Sequence, residues 1–150
     1  MPVRHRVRRE QHGAFTAFLD GAFGGLAEFH VLDGRQYRTD QPCGDGVKVR
    51  CPEAETPEAT MLGAAQEAWL DRQFTSSRAS WNILAQQVLM AQRKSKSGER
   101  QLVWTDSWDG YPAARKRVLQ SVVTRKLANP VVISGDVHMN FVADLKLDFD

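Results

Sequence analysis

Asn129-Pro-Val-Val-Ile-Ser-Gly-Asp-Val-His138 is the stretch on which the fold turns. Val131, Val132 and Ile133 form a short β-branched apolar run behind an Asn-Pro breaker, the pattern of a buried strand. The run stops at Ser134-Gly135, where glycine lets the backbone turn or approach another group closely. A carboxylate and an imidazole follow, Asp136 and His138, with one residue between them. On a continuing strand they would point the same way; in a loop at a strand's end they can converge on one point. A hard oxygen donor and a borderline nitrogen donor at the mouth of a buried strand suit a transition metal. Asp-x-His is a short motif, and by itself it describes a surface turn, with Asp capping a backbone N–H, more economically than a metal site. Other segments have to supply the support.

Working outward, Pro112 is placed as the first residue of a helix running to about Leu127, with Val118, Leu119, Val122 and Val123 on its apolar face. On the other side, residues 141–150 (FVADLKLDFD) alternate apolar and polar and predict a half-buried strand. Upstream, Trp81 to Met90 predicts a strand interrupted by Gln86 and Gln87. Before it, Gly63 opens a helix with Leu62, Ala65, Trp69, Leu70 and Phe74 at helical spacing, and Ser76-Ser77 ends it. Phe29, Val31 and Leu32 predict a further strand that stops at Asp33-Gly34. Asp33 and Arg35 thus lie just past a strand end, as a local ion pair or turn, or as a substrate contact. Residues 1–25 are expected to be irregular, and 92–110 to form a polar, then aromatic, loop. There Trp104, Trp108 and Tyr111 either stack on a ligand or, by the more ordinary reading, close the loop against the core.

The predicted order is β, loop, α, β, α, β, β, an α/β layered architecture. If the strands ending at Asp33 and Asp136 are parallel, their loops share the edge where α/β sheets hold ligands. The sequence carries no glycine-rich phosphate loop, no serine nucleophile elbow and no internal repeat.

The chain's 150 residues suffice for one domain with a sizeable core, and 42% apolar with 25% charged residues is ordinary for a soluble globular protein. A net charge of +2 gives no support to a nucleic-acid surface. Arg4, Arg6, Arg8 and Arg9 resemble a targeting n-region, but Glu10, Asp20 and Glu28 interrupt what would be its apolar core, so no signal peptide is read here. The loop from Thr39 to Thr60 holds three prolines and both cysteines. Its length fits a functional flap or a stapled insertion. Cys43 and Cys51 are either the ends of a small disulfide loop or two unremarkable thiols; without a Cys-x-x-Cys pattern they do not suggest zinc.

The segments LDGRQYRTDQPCGDG, TMLGAAQEAWL, WNILAQQVLMA, WDGYPAARKRVL and VVISGDVHMNFVADLKLDFD together resemble the PhoD-like (alkaline phosphatase D) family of calcineurin-like metallophosphoesterases. The likeness runs in family order from about residue 26 to the end, and the Met1-Pro-Val-Arg start resembles the family's segment just upstream. It implies a layered αββα sandwich of which this chain carries about one half, roughly the C-terminal layer. It also implies an exported phosphomonoesterase or phosphodiesterase, secreted or periplasmic, using Fe3+ and Ca2+. On this resemblance Asp136 and His138 match the family's Gly-Asp-x-His metal ligands, and Cys43 and Cys51 match its cysteine-bearing loop, which favours a disulfide. Gln87 stands where ordinary calcineurin-like enzymes carry a ligand histidine, a departure typical of the PhoD-like branch. The family's N-terminal half, with its remaining metal ligands, has no counterpart in these residues.

Two functions of different class follow. One is metal-dependent hydrolysis of phosphate esters, needing that further half, with Asp33 and Arg35 as substrate contacts. The other is a non-catalytic fragment or half-domain that acts only by association with another chain. An exposed half-sandwich surface would then favour self-association.

Overall fold

The computed structural model describes residues 6–9, 18–93, 95–97 and 100–148. In chain order these form strands β1 (Arg6–Arg9), β2 (Leu19–Phe23), β3 (Ala27–Val31) and β4 (Val47–Val49), helix α1 (Gly63–Ser76), strands β5 (Trp81–Ala85), β6 (Ser95–Ser97) and β7 (Arg100–Trp104), helix α2 (Pro112–Thr124) and strand β8 (Pro130–Ile133). Single 3-10 turns occupy Pro52–Glu55 and Trp108–Gly110. The main sheet has the order β1-β2-β3-β5-β8, antiparallel through β1, β2 and β3, then parallel through β3, β5 and β8. This is a mixed α/β fold. The parallel strands expected at Asp33 and Asp136 are present, with β5 between them.

The period of two along the strands decides which side chains the helices cover. On β5, Asn82 and Leu84 are buried while Trp81 and Ile83 face the other way. Leu84 and Leu32 join Trp69, Leu70 and Phe74 of α1 and Val118 and Leu119 of α2 in one core, with Val132 packed against it. The opposite face keeps Trp81, Val131 and Ile133 exposed, so β8, expected as a buried strand, lies at the end of the sheet and is covered on one face alone. Helix α2 stops at Thr124 rather than Leu127 because Lys126 adopts a left-handed φ of 53°. Lys126 N then bonds Val123 O and Leu127 N bonds Val122 O, both at 3.1 Å, closing a Schellman cap.

Four further sequence expectations need correction. Residues 6–9 and 19–23 are strands, not part of an irregular lead-in: β2 folds back on β3 through the Gly24–Leu26 turn, so pairing with a neighbour overrides a glycine-rich sequence. Residues 1–5 and 10–17 lie outside the described residues. The 39–60 and 92–110 loops hold β4, β6 and β7, which make a second sheet in the order β4-β7-β6; β4 and β6, of three residues each, are too short to show alternation. β5 ends at Ala85, not Met90: beyond it Gln86 and Gln87 belong to the loop, and their side chains bond other loop groups. Finally, 141–148 alternate like a strand but form none, with Val142 wholly exposed; alternation selects faces, whereas a strand needs an edge to pair with. Phe149 and Asp150, the end of that expected strand, lie outside the described residues.

Two constraints hold this frame. A Cβ on Gly110 would sit 2.0 Å from the Thr105 carbonyl oxygen, so this turn admits only glycine. The same Thr105 bonds the cysteine loop through its hydroxyl, 2.7 Å from Gly44 O and 2.9 Å from Gly46 O. Gly110→Ala should therefore lower stability on the order of 3 kcal/mol, seen as an earlier urea midpoint; an unchanged midpoint would contradict the packing at this turn.

His30 is wholly buried on β3, edge-on to Phe74. Its Nε2 lies 3.2 Å from Asn82 Oδ1, an acceptor, so Nε2 donates and Nδ1 is bare in the neutral ring. Among the described residues Nδ1 has no hydrogen-bond partner. Burial lowers this imidazole's pKa against smaller upward pulls from the Asn82 bond and from Glu28 and Asp20. A depressed folded-state pKa means the unfolded chain takes the proton first. Stability should thus be full above about 6.5, the free imidazole value, and fall as the pH drops below it. Thermal melts between pH 7 and pH 5 should show this slope, and His30→Phe should flatten it.

Candidate active site at the strand ends

β3, β5 and β8 run parallel and deliver three loops to one edge. The ladder extends past each strand: Leu32 N bonds Ala85 O at 2.8 Å, Gln86 N bonds Ile133 O at 3.1 Å and Gly135 N bonds Gln87 O at 3.2 Å. Gln87 then ties the loops together through its side chain, Nε2 donating to Leu32 O at 2.6 Å and Oε1 accepting from Gly34 N at 2.8 Å. Gly34 fits tightly here, since a Cβ would lie 3.3 Å from Gln87 Oε1 and 3.2 Å from Met61 Sδ. From α1, the buried Gln66 clamps the neighbouring peptide: Oε1 accepts from Asp33 N and Nε2 donates to Asp33 O, each at 2.8 Å. Two glutamine amides therefore set the path of residues 32–34.

That path determines where the expected site residues fall. The Asp33 carboxylate is turned back on its own loop, Oδ1 accepting from Arg35 N and Gln36 N at 2.8 and 2.9 Å and Oδ2 from Gln36 Nε2 at 2.7 Å. It shapes the turn that launches Arg35. The Arg35 guanidinium pairs through Nη1 with Asp106 Oδ2 at 2.6 Å and lies 3.6 Å through Nη2 from Asp136 Oδ2. Arg35 and Asp136, a hundred residues apart in sequence, are thus brought to one place. Asp136 and His138 are exposed and both take left-handed φ, 70° and 57°, so the loop after β8 bends sharply at each.

Asp106 was not legible in the sequence. Its Oδ1 accepts from Arg38 Nη1 at 2.7 Å and Gln41 Nε2 at 3.0 Å while Oδ2 holds Arg35. Burial pushes its pKa up, but the Arg35 and Arg38 hydrogen bonds outweigh this and keep the carboxyl below its usual range. Cys43 and Cys51 form a disulfide, Cα–Cα 5.6 Å, enclosing β4. Trp108 and Tyr111, weighed as stacking residues, are wholly buried; Trp108 Nε1 donates to Gln86 Oε1 at 3.0 Å and Tyr111 Oη to Thr39 O at 2.6 Å.

A carboxylate oxygen and an imidazole nitrogen fit a metal chemically. Among the described residues no group of three or more His, Cys, Asp or Glu is placed to hold an ion.

Residues 1–150 match, over their whole length, the family model described as PhoD-like phosphatase. The chain belongs to the PhoD-like phosphatase family. It is 44% identical over 128 residues to Alkaline phosphatase D of Bacillus subtilis (strain 168), a match covering 85% of this chain and 22% of that protein. It also superposes on a solved structure of PhoD with a TM-score of 0.85 at 41% identity, covering 96% of this chain and 28% of that one. The chain therefore spans about a quarter of the length of the relatives it matches.

Gln87→Leu tests the clamp without touching any expected ligand. It strands Gly34 N and Leu32 O at a half-buried edge, a loss of about 2–4 kcal/mol from two unmet groups. Amide exchange at Gly34 should accelerate markedly; exchange as slow as in the wild type would show the clamp to be idle.

Proposed function

We propose that this chain carries part of the active site of a phosphate-ester hydrolase of the alkaline phosphatase D or phosphodiesterase type. The observation that carries this reading is the convergence of Arg35 with the Asp136–His138 loop at the C-terminal edge of parallel strands. Family membership supplies the chemistry expected there.

In this reading Asp136 and His138 hold a metal, with iron and calcium the ions implied by the resemblance. A metal held there would supply a water of lowered pKa and offset charge on phosphoryl oxygens. His138 would bind it through one ring nitrogen, leaving the other for an outer acceptor. Arg35, with Nη1 held by Asp106, directs the N–H groups of its outer nitrogen at the phosphate. Asp33, expected beside it as a substrate contact, accepts the Arg35 N–H and so fixes the backbone from which that side chain extends. The Cys43–Cys51 disulfide favours an oxidising, exported location. Among the described residues no helix is long and apolar enough to cross a membrane.

Residues 1–150 alone should turn over very little, because two ligands leave a metal without the geometry for in-line attack. The second reading, action through association, is favoured by the exposed Val131, Ile133, Phe141 and Val142 and by β8 ending the main sheet. The test is hydrolysis of a chromogenic phosphomonoester and phosphodiester with added iron and calcium. The isolated chain should stay near background. Joined to the remainder of the Bacillus relative's domain it should hydrolyse both, and His138→Ala should abolish this. Full turnover by the isolated chain, or a joined protein indifferent to His138→Ala, would refute the assignment.

A further inference from the structure

Asp106 lies outside every segment that carries the expected ligands, yet its carboxylate gathers three side chains from the loop after β3. Arg38 and Gln41 bond Oδ1 at 2.7 and 3.0 Å, and Arg35 bonds Oδ2 at 2.6 Å. The backbone oxygen of Asp106 accepts from Arg38 as well, at 3.2 Å. Asp106 is mostly buried, its side chain 18% exposed, whereas Arg35 is 37% exposed. Arg35 is thus anchored at both ends, by Asp33 at its backbone and by Asp106 at Nη1, while Nη2 faces the Asp136 loop.

We propose that Asp106 is a positioning residue that holds Arg35 in the orientation needed to bind a phosphate group at this edge. The inference rests on the phosphate reading given above. A long arginine on a surface loop samples many rotamers, and ordering it on binding costs affinity. Fixing Nη1 beforehand removes that cost and leaves the outer nitrogen for the anion. The charge of Asp106 acts in the opposite sense, because a carboxylate beside an anion site repels the anion. Orientation and charge therefore predict opposite signs for one substitution.

The experiment uses the 150-residue chain labelled with 15N-arginine, observing side-chain Nε–H relaxation and titrating inorganic phosphate. In the wild type, Arg35 should be ordered and should shift with phosphate. In Asp106→Asn, Arg35 should become mobile and phosphate affinity should fall on the order of tenfold. Arg125, bound to Asp71 at 2.7 Å far from this loop in sequence, should be unchanged and reports that the variant is folded. Equal or tighter phosphate binding by Asp106→Asn would overturn the inference, as would undiminished Arg35 order. A wild-type Arg35 that ignores phosphate would overturn the functional reading beneath it. If Asp106→Asn does not fold, Arg35→Lys serves instead. It keeps a cation for Asp106 but lacks the second nitrogen, so phosphate binding should weaken while the Arg38 signal stays ordered; undiminished binding would overturn the proposal.

Discussion

The Gln87 side chain is the constraint on which the candidate site depends. Parallel strands end without a hairpin to join them, so the loops at such an edge need some other bond to fix their relative positions. Gln87 supplies both a donor and an acceptor to the loop after β3, and its backbone oxygen receives Gly135 of the loop after β8. A neutral amide suits this role, because it satisfies one carbonyl and one N–H without bringing a charge into a half-buried place. Gln66 does the same for Asp33 from the helix side. The edge is therefore built before any metal or substrate is considered.

Behind the edge, polar groups buried with their partners fix how α2 meets the loops. Asp109 and Arg115 form a buried ion pair at 2.7 Å, Asp109 also accepting from Arg93 N at 2.8 Å and Arg115 donating to Met90 O at 3.2 Å. Such a pair is weak evidence of stability, since desolvation offsets attraction. What it does here is join the segment after β5 to the first turns of α2. Thr105 ties the cysteine loop to the same region, and the disulfide closes that loop on itself. The 35–41 loop, which carries Arg35, Arg38 and Gln41, is thus held from Asp106 on a segment that is itself held to the core.

The helices cover one face of the main sheet and leave the other open, with Trp81, Val131 and Ile133 in solvent. This asymmetry accords with a chain that aligns with about a quarter of its relatives' length.

The sequence by itself determined the elements whose signals are local. β-branched residues at 131–133, the Pro112 helix start, the apolar face from Trp69 to Phe74 and the strand stop at Asp33-Gly34 all depend on near neighbours, and each appears where those neighbours demand. The Asp136-x-His138 pair and Arg35 were visible as chemistry at strand ends for the same reason. Only the tertiary structure decided what they meet. Asp106 is one aspartate among many until the chain brings it 2.6 Å from Arg35, 71 residues away. Gln87 looks like a polar flaw in a strand until Leu32 O and Gly34 N stand opposite it. β1, β2 and the small second sheet were illegible because their strands are short or glycine-bearing and exist through pairing. A ladder is a property of two segments, and a sequence read along one of them carries no record of the other.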